Sequence, residues 1–345
     1  MDGANLDAYK LRPYGCNACP VRCGGLVRVE EGRFATAGES HRPEYETMGA
    51  LGNNLRNDNI EAVIQANDIC NRFGIDTISV GGVIAFAIDC YQSGIIDSSD
   101  TGGLELDWGD APAIVALAGQ IARGEGFGAV LGDGSKMAAE RIGRGSERYA
   151  VHVGGRELPL HDPRFGPARG MFYMADATPA NHCGPQGMGI LDHGNALGAD
   201  PSLQSDSTGV YDRYDSKGDI YARGGSYWQL LSSAGLCSLF STFDKVPVID
   251  LLRPVTGWDI DWEEGLMIGR RILTWRQGFN VREGLTPADY QLPRRFSEPL
   301  GVGPAAGHRI PFGLLRDRYY EALGWDPASG EPSPETLAAL GIGLP

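Results

Sequence analysis

Apolar residues recur along most of this chain at spacings of three and four, which places them on one stripe of a helix rather than on alternate faces of a strand. Residues 58–73 carry Ile60, Val63, Ile64, Ile69, Cys70 and Phe73, and residues 111–123 carry Ile114, Val115, Leu117, Ala118 and Ile121. The segment 82–96 is largely apolar and predicts a buried helix. A short helix is expected at 135–144, running into Gly143. A longer one is expected at 262–279, with Trp262, Leu266, Gly269, Ile272, Leu273 and Trp275. Residues 313–323 and 333–341 complete the set, the last opened by Ser333-Pro334-Glu335-Thr336, a capping serine with proline in the first turn. Strand signals are short: Phe34–Thr36, Tyr149–Val153 and Arg156–Leu160. Residues 154–169 concentrate proline, glycine and charge and mark a domain boundary, whereas 195–225, rich in Asp, Ser, Gly and Tyr, predicts a long loop. The expected architecture is mainly α, in two multihelical domains, 1–153 and 154–345.

A length of 345 residues suits two domains, and 42% hydrophobic with 21% charged residues is ordinary for a globular chain. Thirty basic residues against 44 acidic ones leave a net charge of −14. No basic run appears, which excludes a general nucleic-acid binder. No stretch reaches the apolar length of a membrane span, and the first residues carry no secretory pattern, so the expected location is cytoplasmic. Glycine stands out: 50 residues, about twice the usual share, with no fixed period, as many tight turns or close backbone approaches require. Gly132-Asp-Gly134-Ser-Lys136 lacks phosphate-loop spacing and reads as a glycine-led helix start.

Seven cysteines, an odd number, argue against a disulfide framework. Three form Cys16-Asn-Ala-Cys19-Pro-Val-Arg-Cys23, close enough for their thiolates to serve one centre. A structural zinc usually shows paired two-residue knuckles, whereas an iron–sulfur cluster often takes three close thiolates and one distant. The C-x2-C-x3-C order favours the cluster and is not the C-x3-C-x2-C of radical enzymes. Cys70 and Cys90 lie inside apolar helical patterns, so Cys237, where a helix ends, is the leading distant candidate among 70, 90, 183 and 237.

These residues resemble the tungsten-dependent aldehyde:ferredoxin oxidoreductase family. The likeness runs through Tyr14–Cys23, Pro43–Gly52, Asn67–Ser79, Phe279–Gly284, Leu292–Phe296 and Tyr319–Asp326 in order. It implies the family's two C-terminal multihelical domains, a [4Fe-4S] cluster, and a tungsten (or molybdenum) bis-pterin. It further implies oxidation of an aldehyde to a carboxylic acid with electrons passed to ferredoxin or a similar carrier. A related branch reduces aromatic-ring thioesters.

By the same resemblance Cys16, Cys19, Cys23 and Cys237 are the cluster ligands, joining the two domains. The first pterin loop, D-x-x-G-L-D in the family, is Asn71-Arg-Phe-Gly74-Ile75-Asp76. The second, D-x-x-G-L-C, is Ser232-Ser-Ala-Gly235-Leu236-Cys237. Both leading acids are replaced, and Asn or Ser bonds a pterin amine without charge assistance. Glu46 falls at a glutamate near the metal, and His182, in Thr178-Pro-Ala-Asn-His182, at an active-site histidine, with His193 a nearby competitor. Gln65 stands where the family's shared-iron glutamate would be, so that site is expected to be absent. The family's N-terminal domain has no counterpart before Cys16, which leaves a gene fragment, a split enzyme with a separate N-terminal chain, or a trimmed protein with a different role; the alternative function is a non-catalytic iron–sulfur electron-transfer subunit or a truncated remnant. Two basic pairs, Arg270-Arg271 and Arg294-Arg295, are the candidates for docking an acidic carrier.

Overall fold

Helix starts in this chain are set by short polar side chains. Asn59, Asp76, Asp110, Asp261 and Ser333 each accept a hydrogen bond from the backbone N–H three residues on. Five ends are set by glycine in the left-handed region, at Gly74, Gly124, Gly257, Gly324 and Gly341. The computed structural model describes residues 3–183, 209–237 and 246–343, together with Leu191, Asp192, Gly194, Leu203 and Leu239. Thirteen α-helices and five short strands are found among the described residues. They divide into two units, Met1–Leu160 and His161–Pro345.

In the first unit, helices α2 (Tyr45–Leu51), α3 (Ile60–Phe73), α4 (Thr77–Gln92), α5 (Ala111–Arg123) and α7 (Gly134–Ile142) enclose a core of Leu51, Val63, Ile84, Phe86, Leu117 and neighbouring side chains. An antiparallel sheet, β1 (Lys10–Tyr14), β2 (Gly24–Val27) and β3 (Ser40–His41), lies at its N-terminal end. The expected strand at Phe34–Thr36 is not formed. Thr36 instead bonds Val29 and Gly38 through its hydroxyl, closing a turn that buries Phe34 against Ala62 and Ala111.

The expected cut after residue 153 differs from the observed division at Leu160. His152–Val153 (β4) pairs with Arg156–Glu157 (β5), and the buried Glu157 carboxylate accepts from the Ser135 N–H at the start of α7, at 2.6 Å. The Leu160 N–H donates to Glu46 Oε2 at 2.7 Å. The first part of the proline- and glycine-rich stretch, residues 154–160, is therefore tied to the first unit by polar bonds that composition does not reveal.

The second unit is built on α8 (Pro167–Ala175), α9 (Lys217–Ser233), α11 (Trp262–Arg282) and α12 (Phe312–Leu323), with α10 (Val248–Thr256) and α13 (Pro334–Leu340) around them. Its core is aromatic: Phe172, Tyr221, Tyr227, Tyr319, Tyr320 and Trp325 are all buried. The expected loop over 195–225 is overturned in its last nine positions, where α9 has already begun. Its glycines are not turn residues. A Cβ on Gly218 would sit 2.6 Å from the Arg318 carbonyl oxygen, and one on Gly225 would sit 3.0 Å from the Tyr319 hydroxyl. Helix glycines of this kind let another helix approach, and in sequence they look like loop.

Candidate cofactor and cluster site

The three-cysteine motif occupies the loop that joins β1 to β2. Tyr14 is paired with Gly24 in the ladder, so the chain turns back between them. Two glycines close the neck. A Cβ on Gly15 would meet Arg22 Cα at 2.8 Å, and one on Gly24 would meet the Tyr14 ring at 2.6 Å. Within the loop Ala18 and Arg22 take left-handed φ of 58° and 48°, and the Cys19 N–H donates to the Cys16 carbonyl at 3.1 Å. Arg42 Nη2 donates to the Cys23 carbonyl at 2.5 Å, and the Tyr14 hydroxyl pairs with His41 Nδ1 at 2.7 Å. Burial raises the Tyr14 phenol, with Glu44, Cys23 and Cys16 adding to the rise and Arg42 opposing it.

Cys16 and Cys23 are exposed, Cys19 is half-buried, and Cys237 of the second unit is exposed. Cys70 and Cys90 are buried, and desolvation pushes both thiols up to about 12, which makes them inert core residues. Among the described residues no group of three or more His, Cys, Asp or Glu is gathered tightly enough for a single metal ion. The donor chemistry nevertheless fits a cluster: each thiolate takes its own iron, so the loop need only present three accessible sulfurs around its rim.

The two predicted pterin loops are the same backbone device made twice. At the end of α3, Gly74 has φ +70° and the Ile75 N–H reaches back to the Cys70 carbonyl at 3.0 Å. At the end of α9, Gly235 has φ +73° and the Leu236 N–H reaches back to the Leu231 carbonyl at 3.1 Å. Each is a six-to-one helix closure, with the following apolar side chain, Ile75 or Leu236, packed on its unit's core. Beyond the chain neighbours and the helix's own backbone, no atom of a described residue lies within 4 Å of where a Cβ would stand on either glycine, so both loops offer open backbone. Asn71 Nδ2 donates to the Asn67 carbonyl and side chain at 2.8 and 3.0 Å. Asp76 Oδ2 caps α4 through the Ser79 N–H at 2.9 Å. Ser232 is exposed in the last turn of α9.

Glu46 lies in the first turn of α2, half-buried, with Oε2 on the Leu160 N–H. His182 is half-buried on the segment that follows α8. Its ring centroid is 5.7 Å from that of His161, and Cys183 Sγ is 3.5 Å from its Nε2. His193 lies outside the described residues. The His182 segment is pinned to α11: Asn280 Nδ2 donates to the Ala177 carbonyl at 2.8 Å, and Arg276 bonds both Thr178 Oγ1 and Gln229 Oε1. Asp176, fully buried beneath it, has its carboxyl raised by desolvation, a rise that Arg276 opposes. Sequence reading misses His161, which the fold brings to His182, and Arg276 and Asp176, which meet Thr178 on the same segment. Cys183, beside His182 in the chain, was the one visible signal.

The basic pairs separate in role. Arg270 Nη2 donates to the Leu323 carbonyl at 2.9 Å and Arg271 Nε to the Leu340 carbonyl at 2.7 Å, so both close helix C-termini. Arg294 and Arg295 are exposed. No single described helix is long and apolar enough to cross a membrane.

The chain is 35% identical to the tungsten-containing aldehyde ferredoxin oxidoreductase of Pyrococcus furiosus over 97% of its own length and 53% of the relative's. It is 28% identical to the WOR-like subunit of an aliphatic sulfonate oxidoreductase of the same organism, over 94% and 49%. It thus spans about half the length of the curated relatives it matches. Its fold superposes on the active-site complex BamBC of benzoyl coenzyme A reductase in complex with 1,5-dienoyl-CoA. That match has a TM-score of 0.80 at 21% identity, over 99% of this chain and 54% of that one. Residues 1–342 match the family described as aldehyde ferredoxin oxidoreductase, domains 2 and 3, and the chain belongs to that family.

Proposed function

We propose that this chain is the cluster- and cofactor-holding part of an oxidoreductase that converts aldehydes to carboxylic acids and passes the electrons to ferredoxin or a similar carrier. The observation that carries the reading is the family match over residues 1–342, in a chain whose four expected ligand thiols all stand outside the cores. Cys16, Cys19, Cys23 and Cys237 hold a [4Fe-4S] cluster. Backbone at Gly74 and Gly235, with Ile75, Asp76 and Leu236, approaches the pterins closely because neither glycine carries a side chain. Asn71 uses its N–H groups on Asn67 and turns its carbonyl oxygen to a pterin amine, and the Ser232 hydroxyl serves the second loop. When bound, a tungsten or molybdenum bis-pterin supplies two-electron redox chemistry and a Lewis acid. Glu46, anchored by the Leu160 N–H, holds a water or accepts its proton, and His182 moves a proton near neutral pH. The exposed Arg294-Arg295 pair favours docking of an acidic electron carrier.

Elemental analysis of anaerobically purified protein tests the proposal. Iron together with tungsten or molybdenum is the expected result, and Cys237→Ser should abolish the iron. Iron without either heavy metal would replace this reading with an electron-transfer module that works beside a separate N-terminal chain. Wild-type iron in Cys237→Ser would remove the ligand assignment.

A further inference from the structure

Of the seven cysteines, four are assigned to the cluster and two are buried in the first core. Cys183 remains, exposed and outside any disulfide. It is not on a swinging tail: the Trp228 indole N–H donates to its carbonyl at 2.8 Å, and its own N–H donates to Asn181 Oδ1 at 3.0 Å. Its sulfur lies 3.5 Å from His182 Nε2 and 3.9 Å from Nδ1. The residue lines a cavity of about 460 Å³ in the second unit, with Trp228, Leu236 and Ile272 as apolar wall and the Arg276 guanidinium and Ser232 as polar groups. A thiol and a fixed cation on one small cavity, with an imidazole against the thiol, are the parts of a nucleophilic site.

We propose that Cys183 captures the carbonyl carbon of a small aldehyde in this cavity, with His182 as its base. The choice of aldehyde rests on the proposed function; the reactivity of the thiol does not. Cys183 Sγ forms a bond to the carbonyl carbon, and the C=O π pair moves to oxygen. The thiol proton, taken by His182, returns to that oxygen beside Arg276. The product is a thiohemiacetal; the addition is reversible and needs neither oxidant nor reductant. The cavity shares Ser232 and Leu236 with the second pterin loop of the proposed function, so the aldehyde is held beside that loop before it is oxidised.

The test uses the full, cluster-loaded chain. Limiting iodoacetamide followed by peptide mass spectrometry should label Cys183 ahead of the other six cysteines. Benzaldehyde should protect it, whereas benzyl alcohol and benzoate should not. Carbonyl-¹³C benzaldehyde should show a tetrahedral-carbon resonance that is lost in both Cys183→Ala and Cys183→Ser, and His182→Asn should slow the labelling. Labelling of Cys183 no faster than that of a small thiol, with no aldehyde protection, would overturn the proposal. Aldehyde turnover with a dye acceptor is scored separately: turnover without capture sinks this inference alone, and capture without turnover sinks the proposed function alone.

Discussion

Asp176 shows at the residue scale what local sequence hides. It sits between a buried helix and a threonine and reads as a helix-end acid, yet it is fully buried and its carboxyl is raised by desolvation. A group with a raised folded pKa binds its proton more tightly in the native state. It therefore favours folding in acid, and that contribution is lost as pH rises from the unfolded value near 4 through the raised folded one. Asp176→Asn keeps the acceptor for the Thr178 N–H and removes the charge. The stability of wild type relative to this variant should therefore increase as pH is lowered through that window, read from urea midpoints at a series of pH values. A difference independent of pH would refute the assignment. The cysteine loop, by contrast, was legible because all its information is local: three thiols and two glycines within ten positions. Arg276 was not, because it meets Thr178 from 98 residues away.

Among elements, periodicity located the helices that bury one stripe: 58–73, 111–123, 262–279, 313–323 and 333–341 all coincide with helices to within a few residues. It failed for α8 and for the start of α9, whose faces are buried almost all round and so show no polar side to set a period. It failed for β1, which is exposed nearly throughout, and for β2, which alternates half-buried and buried positions but over only four residues, two of them glycine. The glycines mark where helices touch most closely. A Cβ on Gly269 would fall inside the contact distance of the Ser226 carbonyl oxygen on α9. Gly269→Ala should therefore destabilise by about 1–3 kcal/mol through overpacking. Gly301→Ala, with nothing among the described residues beyond its chain neighbours within 4 Å and no positive φ, should be near neutral. Thermal unfolding of the two variants side by side checks the contrast.

For the whole molecule, the main apolar cores share no residue: one is confined to the first unit and the other to the second. Perturbation of one should stay there. Asp192 offers the probe. Its buried carboxylate accepts from the Ala168 N–H at 2.7 Å, Lys217 Nζ at 3.1 Å and the Tyr221 hydroxyl at 2.5 Å, holding α8 and α9 together. Removing its charge leaves Lys217 buried without its counter-ion, a loss of about 3–5 kcal/mol. Hydrogen exchange of Asp192→Asn should therefore accelerate in Pro167–Ala175 and Lys217–Ser233 while Ile60–Gln92 keeps its wild-type protection. Acceleration in both units would mean that they unfold as one. Composition and period were enough to expect two helical domains. The exact division was not, because it depends on which unit's backbone donors Glu46 and Glu157 satisfy.

The Gly269 contact has a mechanical consequence. Sliding α11 along α9 by one turn, 5.4 Å, would in one direction drive Leu273 against the Ser226 carbonyl. In the other it would pull Thr274 from the Trp325 indole and Arg276 from Gln229. The crossing therefore works as a detent, with a single axial setting. Ile272 and Arg276 are carried on one helix and Trp228 and Ser232 on the other, so the gauge of the cavity between them is set by the detent. Adapting it to a longer or bulkier guest is left to the side chains that line it, Trp228 and Ile272 first.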